Sequence, residues 1–386
     1  MKSSRLYAIL AALLVISSPF WIAHLAWRFS PWEVARVRLV DYSVPFVSAR
    51  EHRGAVWLLN HQRYRAPGAA RWAALHTHAG YDPTDRDHFR PISSLDLSST
   101  DWLVVTDTYG VYEDDLKDIE HEQSHMDFSR RIVGGLSMAD ADSLVAHANR
   151  GHHTLLEFNS FEEPTAPEAR AKVEQLMGVR WTGWVGRTFL DLRDTTDVPR
   201  WVPREFKQQY GDSAELPRGA VEMFVDRGGR MFFASALLGQ QVAPTIRTTA
   251  HGDTALAPIN GGTHYYYWYS ILEADPGTEV FAELVLPRSK SMDSVRTLIG
   301  LPESFPMLTR RIVSGGHQVY LAADLSDPDF DPGAYAFAGL ARVHAKLRVD
   351  PRIYNSQLMF WGFYVPGISA ILKAPWKPVA AATAAR

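Results

Sequence analysis

Between Trp102 and Arg187 the apolar residues fall in short unbroken runs. Trp102-Leu-Val-Val-Thr106 ends at Asp107-Thr-Tyr-Gly-Val-Tyr112, and Thr154-Leu-Leu-Glu157 runs into Phe158-Asn-Ser-Phe161. Unbroken runs of this length belong to strands covered on both faces, the condition of a parallel sheet. Between them Gly134-Gly-Leu-Ser137 opens a helix. Ser137 stands at the N-cap with Asp140 three residues on, before Ala141–Asn149, and Gly151 is placed to end the helix. Strand, helix and strand joined by short links predict βαβ units.

The same rhythm extends in both directions. Arg36–Val44 reads as a first strand, Glu51–Tyr64 as a helix carrying Val56, Leu58 and Leu59, and Ala66 to Leu95 as loop-rich. From Leu216 the pattern changes to short strands separated by turns, at Val221–Val225, Met231–Ala236, Tyr265–Glu273 and Glu279–Leu286, with Val319–Asp324 returning to the sheet. The expected fold class is α/β: one domain with a parallel sheet in residues 31–215 and a β-rich extension in 216–375 completing it. The Ala-rich residues 376–386 are expected to be a disordered tail.

The N-terminal pattern is of another kind. Lys2 and Arg5 precede Leu6 to Trp27, in which His24 is the one ionisable side chain apart from Tyr7, and Arg28, Arg36 and Arg38 follow. Its roughly 22 residues match a hydrocarbon core of about 30 Å. The expectation is a single transmembrane helix within residues 1–30 that is kept as an anchor, with a cleaved signal as the alternative. Bases flank both ends, so the charge rule leaves the orientation open. The large hydrophilic remainder favours an inner-membrane, single-pass protein with its bulk on the periplasmic side. Ser356–Leu372 is also uncharged, but its length of about 17 residues and its Gly362, Pro366 and Gly367 favour a buried segment over a second span.

Composition narrows the function. The 386 residues are 46% apolar, enough for a substantial core, and the formal charge of −3 gives no general attraction to nucleic acid. The chain has no cysteine, 12 tryptophans and 12% aromatics, a supply that serves either a core or stacking on sugar rings.

Candidate chemistry gathers at strand ends. Asp41, Asp107 and Glu157 each close an apolar strand, and ligands of open parallel sheets sit just beyond such ends. Clustered carboxyls in a partly dry cleft split into acid and base roles, whereas scattered ones cap helices and hold loop amides. Tyr109 and Asn159 follow two of these acids. Gly178-Val-Arg-Trp-Thr-Gly-Trp-Val-Gly-Arg187 offers Arg180, Trp181, Trp184 and Arg187 as a ligand-binding run, or as a tight aromatic turn covering the sheet. His264-Tyr-Tyr-Tyr-Trp-Tyr269 alternates as a strand with aromatic side chains on both faces. His121-Glu-Gln-Ser-His125 matches H-E-x-x-H, with His121 and His125 as metal-ligand candidates, but its flanks are polar. Ser160 lacks the Gly-x-Ser-x-Gly turn of an activated serine. No cofactor is expected.

Gly134-Gly-Leu-Ser137, His153-Thr-Leu-Leu-Glu-Phe-Asn159 and Leu176-Met-Gly-Val179 resemble the class I glutamine amidotransferase-like domains, of flavodoxin-like type. The likeness is greatest to non-catalytic versions such as the trimerisation domain of some β-galactosidases. The span from Val37 to about Asp324 also resembles an uncharacterised family of membrane-anchored bacterial proteins. The amidotransferase nucleophile would fall around Phe158–Ser160, where there is no cysteine, so the resemblance does not imply glutamine hydrolysis. The resemblance brings no known activity. The expected function is an envelope-facing domain that binds a ligand or partner, an envelope protein or, on the strength of the Trp, Tyr and Arg residues near the sheet edge, a cell-surface glycan. The alternatives are an envelope-polysaccharide hydrolase using Glu157 and Asp107 as acid and base, and a metalloprotease at His121/Glu122/His125.

Overall fold

The computed structural model describes residues 2–68, 77–86, 88–117, 129–235, 241–255, 263–347 and 356–373. Five parallel strands lie at its centre: β1 (Val37–Asp41), β2 (Ala79–Tyr81), β4 (Trp102–Asp107), β5 (His153–Glu157) and β13 (Gly316–Leu321). Across the sheet they stand in the order β2-β1-β4-β5-β13, which is 2-1-3-4-5 in chain sequence and the order of flavodoxin-like sheets. The chain leaves β1 towards one edge and builds β4, β5 and β13 towards the other, so the β1/β4 boundary is the topological switch point. Antiparallel strands complete nine: β3 (Phe89–Arg90) beyond β2, and β12 (Ser304–Val313), β11 (Glu279–Val285) and β9 (Thr245–Thr248) beyond β13.

Alternation along each central strand sends apolar side chains into two separate cores. Leu39, Val104, Leu155 and Val319 face α2 (Arg53–His61) and the C-terminal segment Ser356–Lys373. Val40, Leu103, Val105, Leu156 and Tyr320 face α3 (Met138–Asn149) and α4 (Pro167–Met177). Full burial of such side chains contributes about 1.5–3 kcal/mol each. At α3 the capping box forms: Ser137 Oγ accepts from Asp140 N at 3.2 Å and Asp140 Oδ2 accepts from Ser137 N at 3.0 Å.

A second, four-stranded sheet has the order β8-β7-β6-β10, with β6 at Val179–Phe189, β7 at Val221–Asp226, β8 at Met231–Ser235 and β10 at Tyr269–Ala274. It packs on α5 (Trp201–Tyr210) through Phe189, Val202, Phe206 and Met223. Ser270 N donates to Ala322 O at 2.9 Å, joining β10 to the end of β13. Both sheets therefore draw on residues from either side of position 215. The strand expected at Tyr265 begins only at Tyr269, since Tyr265 N donates instead to Pro244 O at 2.8 Å, beside the Thr245–His264 bridge.

Helix α1 (Lys2–Phe29) has one window, Ile9–Phe29, long and apolar enough to cross a membrane, and none of that window is buried. Ser356–Lys373 is helical with a π turn at Phe360–Tyr364, and Phe360, Trp361, Phe363, Tyr364 and Ile368 sit in the first core. This segment meets α2 at Gly54. A Cβ there would lie 2.7 Å from both Phe360 Cε2 and Ser326 O. Gly54→Ala should therefore cost about 1–3 kcal/mol in denaturant unfolding. Gly362→Ala should be neutral or stabilising by up to about 1 kcal/mol, since its nearest neighbour is an ordinary 3.6 Å contact on a helix.

Candidate functional site

Four adjacent parallel strands each deliver an acid to the same edge. Asp41 ends β1, Asp107 ends β4, Glu157 ends β5, and Asp324 and Asp327 follow β13. The turn after β1 adds Arg50, Glu51 and His52. Ala49 ahead of it is fully buried with φ 45° and ψ 48°, a left-handed conformation that L-residues adopt at a cost.

Asp41 is fully engaged. Oδ1 accepts from Ser43 N at 2.8 Å, while Oδ2 lies 2.9 Å from His52 Nδ1 and 3.0 Å from Thr106 Oγ1. His52 is wholly buried, with its ring 4.5 Å from that of His78. Asp41 thus fixes the orientation of an imidazole at the switch point. Next to it, Asp107 Oδ1 accepts from Tyr109 N at 2.5 Å, and Ser43 Oγ accepts from Gly110 N at 2.7 Å. Gly110 and Gly134, with φ of 106° and 127°, let this loop lie against Val133–Gly134. A Cβ on either would come within 2.2 Å of a carbonyl oxygen.

Glu157 is fully buried, and its Oε1 accepts from Tyr364 Oη at 3.1 Å. Ser326 lies against the Glu157 carboxyl, and its carbonyl accepts from Gly54 N at 2.9 Å, tying the loop after β13 to α2. Arg50 Nε pairs with Asp327 Oδ1 at 3.0 Å. Besides Asp327 Oδ1, which meets Arg50 as an ion pair, three oxygens in this region have no hydrogen-bond partner among the described residues: Glu157 Oε2, Glu51 Oε2 and Asn159 Oδ1. Leaving a buried polar group unsatisfied costs about 1–3 kcal/mol, so three together mark a place where an added hydrogen-bonding group would be favourable.

Electrostatics follow from the crowding. Burial raises the Glu157 carboxyl from its ordinary 4.5 to about 8, against the opposing hydrogen bonds of Ser326 and Tyr364. Burial, then the Asp41 charge, holds Asp107 well above the usual carboxylate range. Burial and the Asp327 charge do the same to Glu51 and Asp324. Asp327 is also raised by burial, although Arg50 opposes the shift. Glu157 therefore holds its proton at neutral pH, and burial biases its neighbours in the same direction.

The structure brings Asp41, Asp107 and Glu157 together, and Tyr109 and Asn159 follow directly from them. It places the aromatic run elsewhere. Trp181 lies in the second sheet, only 5% exposed, with the guanidinium groups of Arg170 and Arg227 at 5.0 and 4.9 Å from its ring and its indole N–H on Trp184 O at 2.8 Å. The expected open stacking face is therefore closed. Trp184 meets Phe232 edge-on, and Arg180 is exposed and paired with Glu273. Arg187 is buried against the rings of Phe189, Tyr267 and Trp268 and paired with Asp197, with Nε and Nη1 unpartnered among the described residues. Ser160 Oγ is committed to Glu157 O at 2.7 Å. His121 and His125 lie outside the described residues. Arg50, Glu51, His52, Asp324, Asp327 and Tyr364 were not singled out from sequence. The signal for the last acids was present, since Val319–Asp324 already read as a strand ending in an acid.

No protein-family model and no curated protein sequence matches the chain. Among solved structures, a β-galactosidase from Bacillus circulans sp. alkalophilus aligns over 76% of this chain and 30% of its own, at 13% identity and a TM-score of 0.32. An exo-β-1,4-mannosidase from Opitutaceae bacterium strain TAV5 aligns over 86% and 36%, at 9% identity and 0.32. A ThuA-like protein from Parabacteroides merdae ATCC 43184 aligns over 75% and 79%, at 9% identity and 0.33. The chain spans about a third of the length of the two glycosidases.

The raised Glu157 carboxyl gives stability a definite pH dependence. Between about 4.5 and about 8 the unfolded chain releases this proton while the folded chain keeps it, so rising pH favours unfolding. Glu157→Gln should match the wild type at pH 4 and exceed it by a few kcal/mol at pH 8 in urea unfolding. A difference between the two proteins that does not change with pH would contradict the assignment.

Proposed function

We propose that this is a membrane-anchored, envelope-facing protein whose amidotransferase-like sheet lacks the nucleophile and binds a hydroxyl-rich ligand, a cell-surface glycan, at its carboxyl edge. The observation that carries the reading is the row of strand-end acids at the switch point with unpartnered oxygens at Glu157, Glu51 and Asn159 among the described residues. Vicinal hydroxyls donate and accept at once. A protonated Glu157 that donates beside an Asn159 carbonyl oxygen that accepts meets both needs without a net charge on the ligand. Likenesses with TM-scores near 0.3 do not carry an activity from one chain to another, so the site's own groups bear the reading.

Retention of the N-terminal helix, rather than its cleavage as a signal, is supported by its seat on the domain. Trp27 Nε1 donates to His61 O at 2.8 Å, His24 Nδ1 lies 2.9 Å from Ala336 O, and Arg63 donates to the carbonyls of Trp27, Arg28 and Ser30 at the helix end. Loss of the helix would leave Arg63 and these carbonyl and imidazole partners without their contacts.

A second reading, glycan hydrolysis, is favoured by Glu157, whose carboxyl is protonated at neutral pH as a general acid must be. It ranks second because Asp107 is raised as well and so makes a poor base in the unliganded site.

The test is a thermal-shift screen of the full chain in detergent against envelope glycan fragments. A fragment at about 100 times its dissociation constant should add about 2.7 kcal/mol of stability, and Glu157→Gln or Asn159→Ala should remove most of it. New reducing ends that vanish in Glu157→Gln while binding survives would promote the hydrolase. The absence of a shift with every fragment would contradict the glycan reading.

A further inference from the structure

Beside the anchor, the segment Tyr335–Leu347 carries an unexplained surface. Phe337 and Tyr335 pack edge-on against His24 and Trp27 of α1, at 5.7 and 5.8 Å between ring centroids. Ala338 N donates to Ala23 O at 3.0 Å. These contacts do not lie at the end of α1 but up its side: Ala23 is about 9 Å from Phe29 along the axis at 1.5 Å per residue. A hydrocarbon layer of about 30 Å that begins at Leu6, after the charge of Arg5, takes in about 20 residues and ends near Leu25. The loop Ala336–Ala338 therefore meets the anchor inside its last apolar turn.

Directly after this loop comes α7 (Leu340–Leu347; α6 is Lys290–Ile299). Its inner face is accounted for. His344 stacks on Trp361 at 4.5 Å, and Leu340, Ala341 and Ala345 pack against the first core. Arg342, Val343 and Lys346 share the opposite face at i, i+1 and i+4, and all three are exposed, Val343 to 51%. An exposed valine between two bases, directly after a loop that meets the anchor inside its last apolar turn, presents positive charge where anionic headgroups would lie. Arg28 at the end of α1 adds a third exposed base at the same level.

We infer that α7 is a second membrane contact, with Val343 dipping among acyl chains and Arg342 and Lys346 holding the phosphates of anionic lipids, so that the domain rests on the bilayer in a fixed orientation. This rests on the reading of α1 as a membrane anchor. The packed junction already fixes the domain against α1, and α7 would fix both against the plane of the bilayer.

The absence of cysteine makes the test clean, because each introduced cysteine is the single labelling site. The full chain is reconstituted in phosphatidylcholine vesicles with and without phosphatidylglycerol, bearing a fluorophore at Ile16→Cys, Val343→Cys or Leu298→Cys, and quenched by lipids spin-labelled either near the headgroup, to read Val343, or deep in the acyl chain, to read Ile16. The expected result is quenching at Val343 that strengthens with phosphatidylglycerol, with Leu298, 71% exposed on another helix, left unquenched. Arg342→Gln with Lys346→Gln should weaken the contact by about 5-fold per base removed. Quenching at Ile16 with Val343 as unquenched as Leu298 overturns the inference and leaves the anchor standing. An Ile16 label that no lipid quenches overturns the anchor reading and the inference with it. Quenching at Val343 that ignores both phosphatidylglycerol and the two substitutions overturns the role given to the bases.

Discussion

Neighbouring strands in a sheet stand about 4.8 Å apart, and in this protein four neighbours end in carboxyl groups on one edge. Like charges so close, in a region where burial is the largest influence on Glu157, Asp107, Glu51 and Asp324, cannot all be ionised. The surrounding structure answers that constraint. Asp41 is satisfied by His52, Thr106 and a loop amide, Asp327 by Arg50, and Glu157 in part by Tyr364, while burial raises Asp107, Glu51 and Asp324 above the usual carboxylate range. The outcome is a patch with both donors and acceptors, assembled from loops that would otherwise have no reason to meet.

Helix α2 connects this patch to the N-terminal apolar helix α1. It starts directly after Glu51-His52 and ends at His61-Gln62-Arg63, about 14 Å away by its nine residues. At that far end His61 O takes the Trp27 indole, Gln62 bonds Ser369 of the C-terminal helix at 2.9 Å, and Arg63 caps α1. The C-terminal segment runs alongside, with Tyr364 on Glu157 and, about 7.5 Å further along its axis, Ser369 on Gln62. The acid cluster and α1 are thus connected through two packed helices.

Much of the central sheet was legible because its strands obey one simple rule. Buried parallel strands must be apolar on both faces, so Trp102–Thr106 and Thr154–Leu156 stand out, and the first acid after each marks the edge. Arg50, Glu51 and His52 were hidden because they precede a helix rather than end a strand. Tyr364 was hidden inside an apolar run whose composition gives no hint that one hydroxyl faces a carboxyl. Trp181 misled for the opposite reason. A Gly-rich aromatic strand has the same composition whether it stacks on a ligand or on guanidinium groups, and Arg170 and Arg227 reach it from distant parts of the sequence. The strand expected from Tyr265 starts late because the residues before Tyr269 bond to Pro244 and Thr245, a partner far off in sequence that the local alternation does not reveal.

The central claim is that carboxyls from separate strands form one coupled cluster. The most direct measurement is a site-resolved carbon-13 NMR titration of the Asp107 carboxyl in the wild type and in Asp327→Asn. Asp327 reaches the edge from β13, two strands away from Asp107 on β4, and its charge is one of those that raise Asp107. If the cluster is coupled, removing that charge moves the Asp107 titration to lower pH. An Asp107 midpoint that stays in place, or one already in the ordinary carboxylate range in the wild type, would contradict the account.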